Sequence, residues 1–343
     1  NSNTAVGYYA ARATTSGVLN VAVGQNCLMA NTGGNSNTAV GQGAMQTNTT
    51  GHDNTALGKS SMALNTTGRY NVAVGRQSLN SNTEADNNTA VGYHCLYSNT
   101  TGTSNVAVGT EALDANTTGG SNVAVGKQAL DANTTGGGNV AVGHNALGAN
   151  TTAGSNTAIG NGALSINTTG SSCVAVGTGA LQNSNANNNT AVGRSALQMT
   201  TSGHSNVAVG RQTLEQNTTG SNNVGLGANA LDECTEGYNN VGVGSNALGD
   251  LTTGIMNTAV GNNCADAITT GNDNIAIGQS TLGATTTGSD NVAVGTGALQ
   301  NNTTASNNTG VGRDALKVNT TGFDNTAVGA LALDANTTGN YNS

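Results

Sequence analysis

The chain has 343 residues, with 51 Gly, no Pro, no Trp and one Phe, and its 9 basic against 17 acidic residues leave a formal net charge of −8. Leu, Ile, Val and Phe together make up roughly 17% of it, below the roughly 20% at which disorder becomes the expectation, yet the high charge and Pro enrichment of disordered chains are missing. A pI near 4.7 without a Lys/Arg cluster excludes a phosphate-backbone binder, so no nucleic acid is expected as a partner. No apolar run nears the roughly 18 residues of a membrane span, so no membrane insertion is expected, and an export signal, if used, lies outside this segment.

Order comes instead from repetition. Ala-Val-Gly and its variants recur 20 times, their Gly running from Gly7 to Gly329 at a spacing of 17 residues, broken once by a 16-residue unit that ends at Gly193. Residues 1–343 therefore read as one continuous array with no separate domains. Numbering slots so that this Gly is slot 5, the unit reads Asn-[Thr/Val]-Ala-Val-Gly-x-x-Ala-Leu-x-x-Asn-Thr-Thr-Gly-x-x. Slot 4 is Val, Ile or Leu in all 20 units and slot 9 is Leu in 16. The few apolar residues are thus placed with strict regularity.

Two Gly per unit and β-branched residues at slots 2, 4, 13 and 14 oppose a helix, and 17 residues are too few for a helix pair. The unit suits one coil of an all-β parallel β-solenoid, or β-roll, of about 20 coils. In chain order each coil is predicted as a strand over slots 1–5, a turn at the slot 5 Gly, a second strand over slots 8–14 and a turn at slot 15. Stacked at about 4.8 Å, the coils would form a rod on the order of 95 Å long.

Slot 1 is Asn in 19 of 20 units, with Cys173 the exception. The side chains of Asn3, Asn20, Asn37, Asn54, Asn71, Asn88, Asn105, Asn122, Asn139, Asn156 and their successors are expected to form a ladder of stacked amides that fixes register. Slot 13 is Thr in 19 of 20 units and forms a second ladder. The strand at slots 2–4 is apolar throughout, which implies burial on both faces. One face would fill the coil with the slot 9 Leu. The other, with small Ala or Gly at slot 3 permitting close approach, would meet another copy of the chain, so a homo-oligomer is expected.

The string Asn-[Thr/Val]-Ala-Val-Gly-x-x-Ala-Leu, clean at Asn105–Leu113, Asn122–Leu130 and Asn139–Leu147, resembles the head repeats of trimeric autotransporter adhesins and similar repeats in phage and viral tail fibres. The resemblance extends over all 20 units. It implies a left-handed roll, three chains side by side, an extracellular position on a cell surface, virion fibre or free filament, and binding of a cell-surface or matrix receptor or glycan. The 17-residue unit is longer than the family's usual one, and the coiled-coil stalk and anchor that the resemblance leads one to expect do not lie within these 343 residues.

The remaining residues support no chemistry. Cys27, Cys95 and Cys264 at slot 8 read as small buried hydrophobes, with Cys173 and Cys234 as further free thiols; Cys27 and Cys95 are about 19 Å apart along the rod, too far for a disulfide. His52, His94, His144 and His204 fall in scattered coils and suggest neither a metal site nor a dyad. The tyrosines and Phe323 are likewise scattered, so no aromatic platform is expected. Slot 10 acids in adjacent coils, Asp114 with Asp131 and Glu215 with Asp232, read as a solvated edge. Six of nine basic residues, Lys59, Arg76, Lys127, Arg194, Arg211 and Arg313, occupy slot 6 and mark it as exposed. Eleven Asn-Thr-Thr runs, at Asn48, Asn65, Asn99, Asn116, Asn133, Asn150, Asn167, Asn217, Asn302, Asn319 and Asn336, are formal N-glycosylation acceptors. After the short unit, slot 12 drifts to Thr200, Cys234, Leu251, Ile268 and Thr285, read as a change in edge chemistry.

The sequence therefore predicts no enzyme, no metal and no cofactor. It predicts a structural or adhesive extracellular fibre or filament shaft whose first partner is itself, either an excerpt of a longer fibre or a unit joining head to tail. The alternative is an ice-binding solenoid that uses its Thr ladders.

Overall fold

The computed structural model describes residues 2–343. It is all-β, a parallel β-solenoid with one three-residue strand per coil at slots 2–4. The chain divides into two compact units, the first reaching to Ser172 and the second spanning Cys173–Ser343. The first carries ten strands, from β1 (Thr4–Val6) to β10 (Thr157–Ile159), and the second ten, from β11 (Val174–Val176) to β20 (Thr326–Val328). Within each unit successive strands pair in parallel and in register, as Val106, Ala107 and Val108 do with Val123, Ala124 and Val125.

The expected second strand is absent. Slots 6–11 fold instead as two consecutive turns, closed in the Asn105 coil by Ala112 N–H to Gly109 O at 3.4 Å and Asn116 N–H to Leu113 O at 3.3 Å. Slots 7, 9 and 17 adopt left-handed backbone, for example Glu111 (φ 57°), Leu113 (φ 56°) and Ser121 (φ 60°). Left-handed backbone costs a Leu about 1–2 kcal/mol, while burying its side chain returns about 1.5–3 kcal/mol. Burial therefore decides the conformation at slot 9.

The coils stay hydrogen-bonded to one another around most of their circuit. Leu113 N–H donates to Ala129 O and Ala115 N–H to Asp131 O, both at 3.0 Å, while the N–H groups of Thr117, Thr118 and Gly119 converge on Thr134 O. At slot 5 the approach is closest. Gly126 sits at φ 133°, and a Cβ there would lie 2.6 Å from Gly143 O. Only glycine fits.

The strand faces the opposite way from the expectation. Slot 3 Ala points inward and is fully buried in all but the end coils, packing with slots 8 and 9, whereas the Val, Ile, Leu or Thr side chains of slots 2 and 4 point out. A coil this thin has room for a methyl group on its strand side, so the small residue goes in and the larger ones remain outside.

The rest of the interior is amide. Asn122 accepts the backbone N–H of Asn139 at 3.0 Å through Oδ1, and its Nδ2 crosses the coil to Gly136 O at 2.9 Å. The same pattern runs through the slot 1 Asn residues, for instance Asn20 to Asn3 and Asn37 to Asn20. A second ladder, not expected, runs through slot 12: Asn133 Nδ2 donates to Asn116 Oδ1 at 2.8 Å and to the same Gly136 O at 3.0 Å. Slot 13 Thr hydroxyls donate to the next coil's backbone, as Thr134 Oγ1 does to Thr151 O at 3.0 Å.

Candidate functional site

With both Asn columns inside, each unit presents three surfaces: the outward sheet face, its two edges, and the turn surface of slots 6–11. The sheet face is apolar and half-exposed. Val106 and Val108 are 37% and 36% exposed, and Ile275 and Ile277 are both 42% exposed. Nothing in either unit covers these side chains.

The two edges of this face differ in charge, one mostly basic and the other mostly acidic. On the slot 6 edge stand the six exposed bases, Lys59, Arg76 and Lys127 in the first unit and Arg194, Arg211 and Arg313 in the second. On the slot 16–17 edge stand Asp53 and Asp86 in the first unit, with a single base, Arg69, 3.9 Å from Asp86, and Asp273, Asp290 and Asp324 in the second. Asp53 and Asp86 bracket Lys59 and Arg76 along the axis, and Asp290 and Asp324 bracket Arg313. Some of these groups are partly engaged: Asp86 receives the backbone N–H of Arg69 at 2.7 Å, and Arg313 lies 3.7 Å from Asp314.

On the turn surface, sequence reading missed a cluster. Tyr93, His94 and Tyr97 form a three-ring stack, with His94 4.2 Å from Tyr93 and 4.5 Å from Tyr97 between ring centroids. Counting aromatics over the whole chain obscured their proximity in Tyr-His-Cys-Leu-Tyr. The left-handed residues His94 and Leu96 bring the rings to one side of the turn. None of the other three histidines joins a three-ring stack; His52 is paired with Asp53 at 2.7 Å and meets Tyr70 edge-on at 5.4 Å between ring centroids.

The slot 10 carboxylates are half-buried rather than freely solvated. Burial, followed by the neighbouring carboxylates, raises the pKa of Asp131, and burial with Glu215 and Glu233 lifts Asp232 to about 6. Asp232, Glu233, Asp250 and Asp266 rim an open notch of about 310 Å³ where Gly249 lacks a side chain. Among the described residues no group of three or more His, Cys, Asp and Glu side chains is placed to hold a metal ion.

All five cysteines are buried and unpaired with one another. Burial pushes the thiols of Cys95, Cys234 and Cys264 up to about 12, which suppresses the reactive thiolate. Cys173 replaces a slot 1 Asn in the coil that is one residue short. There its thiol donates to Ala186 O at 3.1 Å, and Ser184 replaces the slot 12 Asn. A corner drawn in by one residue is met by two shorter struts.

The Asn-Thr-Thr acceptors from Asn48 to Asn319 are completely buried, and Asn336 is half-buried. Their Nδ2 atoms carry the slot 12 contacts, so a glycan on any of the buried ones is incompatible with the folded coil. Slot 12 lies inside the coil, so the drift to Cys234, Leu251, Ile268 and Thr285 changes the core, not an edge. No helix among the described residues is long and apolar enough to cross a membrane. No protein-family model matches this chain, and no curated protein matches it.

Proposed function

We propose that the chain is the shaft of a homo-oligomeric extracellular fibre, structural or adhesive, whose copies associate through the outward sheet face. The observation that carries this reading is the row of half-exposed Val, Ile and Leu side chains at slot 4, backed by Val or Thr at slot 2. A regular apolar face of this kind is an interaction surface. A second copy is the occupant because the face has a basic edge and an acidic edge at matching heights. Copies running in the same direction place slot 6 of one against slots 16–17 of the next, base to acid; antiparallel copies would set base against base. Three copies and a left-handed winding follow from the resemblance to adhesin head repeats, as does a receptor or glycan as outer ligand.

Light scattering should give a multiple of the monomer mass, and a monomer at micromolar concentration overturns the proposal. The parallel arrangement is tested by D53C with K59C. These positions lie at opposite ends of one strand, about 20 Å apart, too far for a bridge within a chain. Oxidation should therefore link neighbouring copies into a closed ring whose size on a non-reducing gel gives the number of chains. An oligomer that yields no interchain product has its copies arranged otherwise.

A second reading stays open on the same face. Nine of the 20 strands place an outward Thr at slot 2 beside the slot 4 apolar residue, interspersed with strands that carry Val or Ile there, and the paired Thr and apolar side chains are the chemistry of an ice-ordering face. This replaces the expected Thr-Thr surface, whose slot 13 hydroxyls are already bonded to backbone. Thermal hysteresis from a monomeric protein would favour it, and its absence removes it.

A further inference from the structure

Most coils present small polar side chains on the turn surface, but the Asn88 coil presents three rings. His94 lies nearly parallel to both tyrosines, at 20° to Tyr93 and 12° to Tyr97, and its Nε2 is 3.1 Å from Gln77 Oε1 in the preceding coil. The Arg76 guanidinium stands 5.8 Å from the Tyr93 centroid. The following coil contributes Glu111, bonded by Gln128 Nε2 at 3.1 Å, and Asp114, whose Oδ1 is shut away from water with no hydrogen-bond partner.

We propose that this surface, spanning the Asn71, Asn88 and Asn105 coils, binds a neutral oligosaccharide. A sugar ring has an apolar C–H side and a rim of hydroxyls, and the surface offers a counterpart to each. The outer tyrosine rings supply aromatic surface for the C–H side, and because His94 already holds them in a stack, little side-chain freedom remains to be lost on binding. The part-exposed carboxylates of Glu111 and Asp114 offer acceptors to the hydroxyl rim, with Asp114 Oδ1 itself held inside. Arg76 supplies donors at the opposite end. Glu111 and Asp114 together repel acidic sugars, which selects the neutral class. The coil rise of about 4.8 Å lets a saccharide chain laid along the axis meet successive coils in turn. The site shares only the slot 6 edge, through Arg76 and Tyr93, with the fibre interface, and the slot 10 variants Y97A and D114N, away from that edge, make its failure visible separately from that of the assembly.

The test is a printed array of neutral hexose and N-acetylhexosamine oligosaccharides alongside sialylated and sulfated ones, probed with the full chain and with Y93A, Y97A, D114N and Y238A. The wild type should bind neutral members. Y93A and Y97A should each weaken binding tenfold or more and D114N several-fold. Y238A, which removes an exposed tyrosine of the second unit, should leave it unchanged. Tyr93 and Tyr97 are surface residues, and unchanged melting temperatures will separate lost binding from lost fold. Absence of neutral binding by the wild type, binding confined to acidic members, or full binding by the Y93A/Y97A double variant overturns the proposal.

Discussion

In the first unit, slot 12 is Asn in nine consecutive coils, from Asn31 to Asn167, and in the second unit it is Cys234, Leu251, Ile268 and Thr285 over four. The backbone is indifferent to the exchange. Leu130 N–H to Ala146 O and Leu248 N–H to Cys264 O are both 3.0 Å, and Thr134 N–H to Thr151 O at 2.8 Å matches Thr252 N–H to Thr269 O at 2.9 Å. Slot 1, by contrast, keeps its Asn through both stretches, and Asn257 still takes Asn240 Oδ1 at 3.0 Å and Gly271 O at 2.8 Å. The two columns differ in what depends on them. A slot 1 Oδ1 satisfies a buried backbone N–H of the next coil, whereas a slot 12 amide bonds its own column and a carbonyl that slot 1 already holds. A self-contained network can be exchanged for apolar side chains as a block, and its cost falls at the junction. That junction is visible: Asn217 Oδ1, facing Cys234 where another Asn would donate, is buried without a partner.

The largest effect should therefore come from slot 1, and it should be larger in the apolar stretch. Asn122→Ala strands the Asn139 N–H but leaves Gly136 O to Asn133, at a cost of about 3 kcal/mol with the cavity included. Asn240→Ala strands the Asn257 N–H and also Gly254 O, which Leu251 cannot serve, and should cost about 4–5 kcal/mol. Urea unfolding of the two variants compares them, and equal losses would break the argument that slot 12 backs up slot 1. At slot 12 the order reverses. Asn133→Leu, inside the intact ladder, orphans Asn116 Oδ1 and should cost about 2 kcal/mol, whereas Asn217→Leu removes the existing orphan and should change stability by less than about 1 kcal/mol.

This division was only partly legible in the sequence. The period, the strand at slots 2–4 and the slot 5 Gly follow from spacing and residue type, because a run of apolar, partly β-branched residues favours a strand and the close approach of successive coils at slot 5 leaves no room for a Cβ. The second strand was misread because Thr-Thr at slots 13 and 14 has strand character, while the left-handed Leu at slot 9 carries no sequence mark: its type reports burial and not backbone. The direction of the strand was hidden by its being apolar on both sides, although side-chain size, Ala inside and Val outside, held the answer. Slot 12 Asn had two meanings, a glycan acceptor by its Thr neighbours and a ladder rung by its repetition. Only the depth of the residue separates them.

A pH dependence also distinguishes the stretches. Asp232 stands two residues before Cys234, and burial, then Glu215 and Glu233, raise its pKa to about 6 against the partial offset of Arg211. In the unfolded chain an Asp ionises near 3.9, so between about pH 4 and 6 the folded state holds more protons than the unfolded one. Stability is then greatest below that window and falls as pH rises through it. Asp232→Asn should match the wild type in melting temperature near pH 4 and exceed it progressively towards pH 7. In the first unit Asp114 is raised by burial and Glu111 but lowered by His94, so Asp114→Asn should show the same trend more weakly. A wild-type to Asp232→Asn gap that stays constant from pH 4 to 7 would mean that the Asp232 carboxyl ionises alike in both states, and that these coils differ from the ladder coils only in their core.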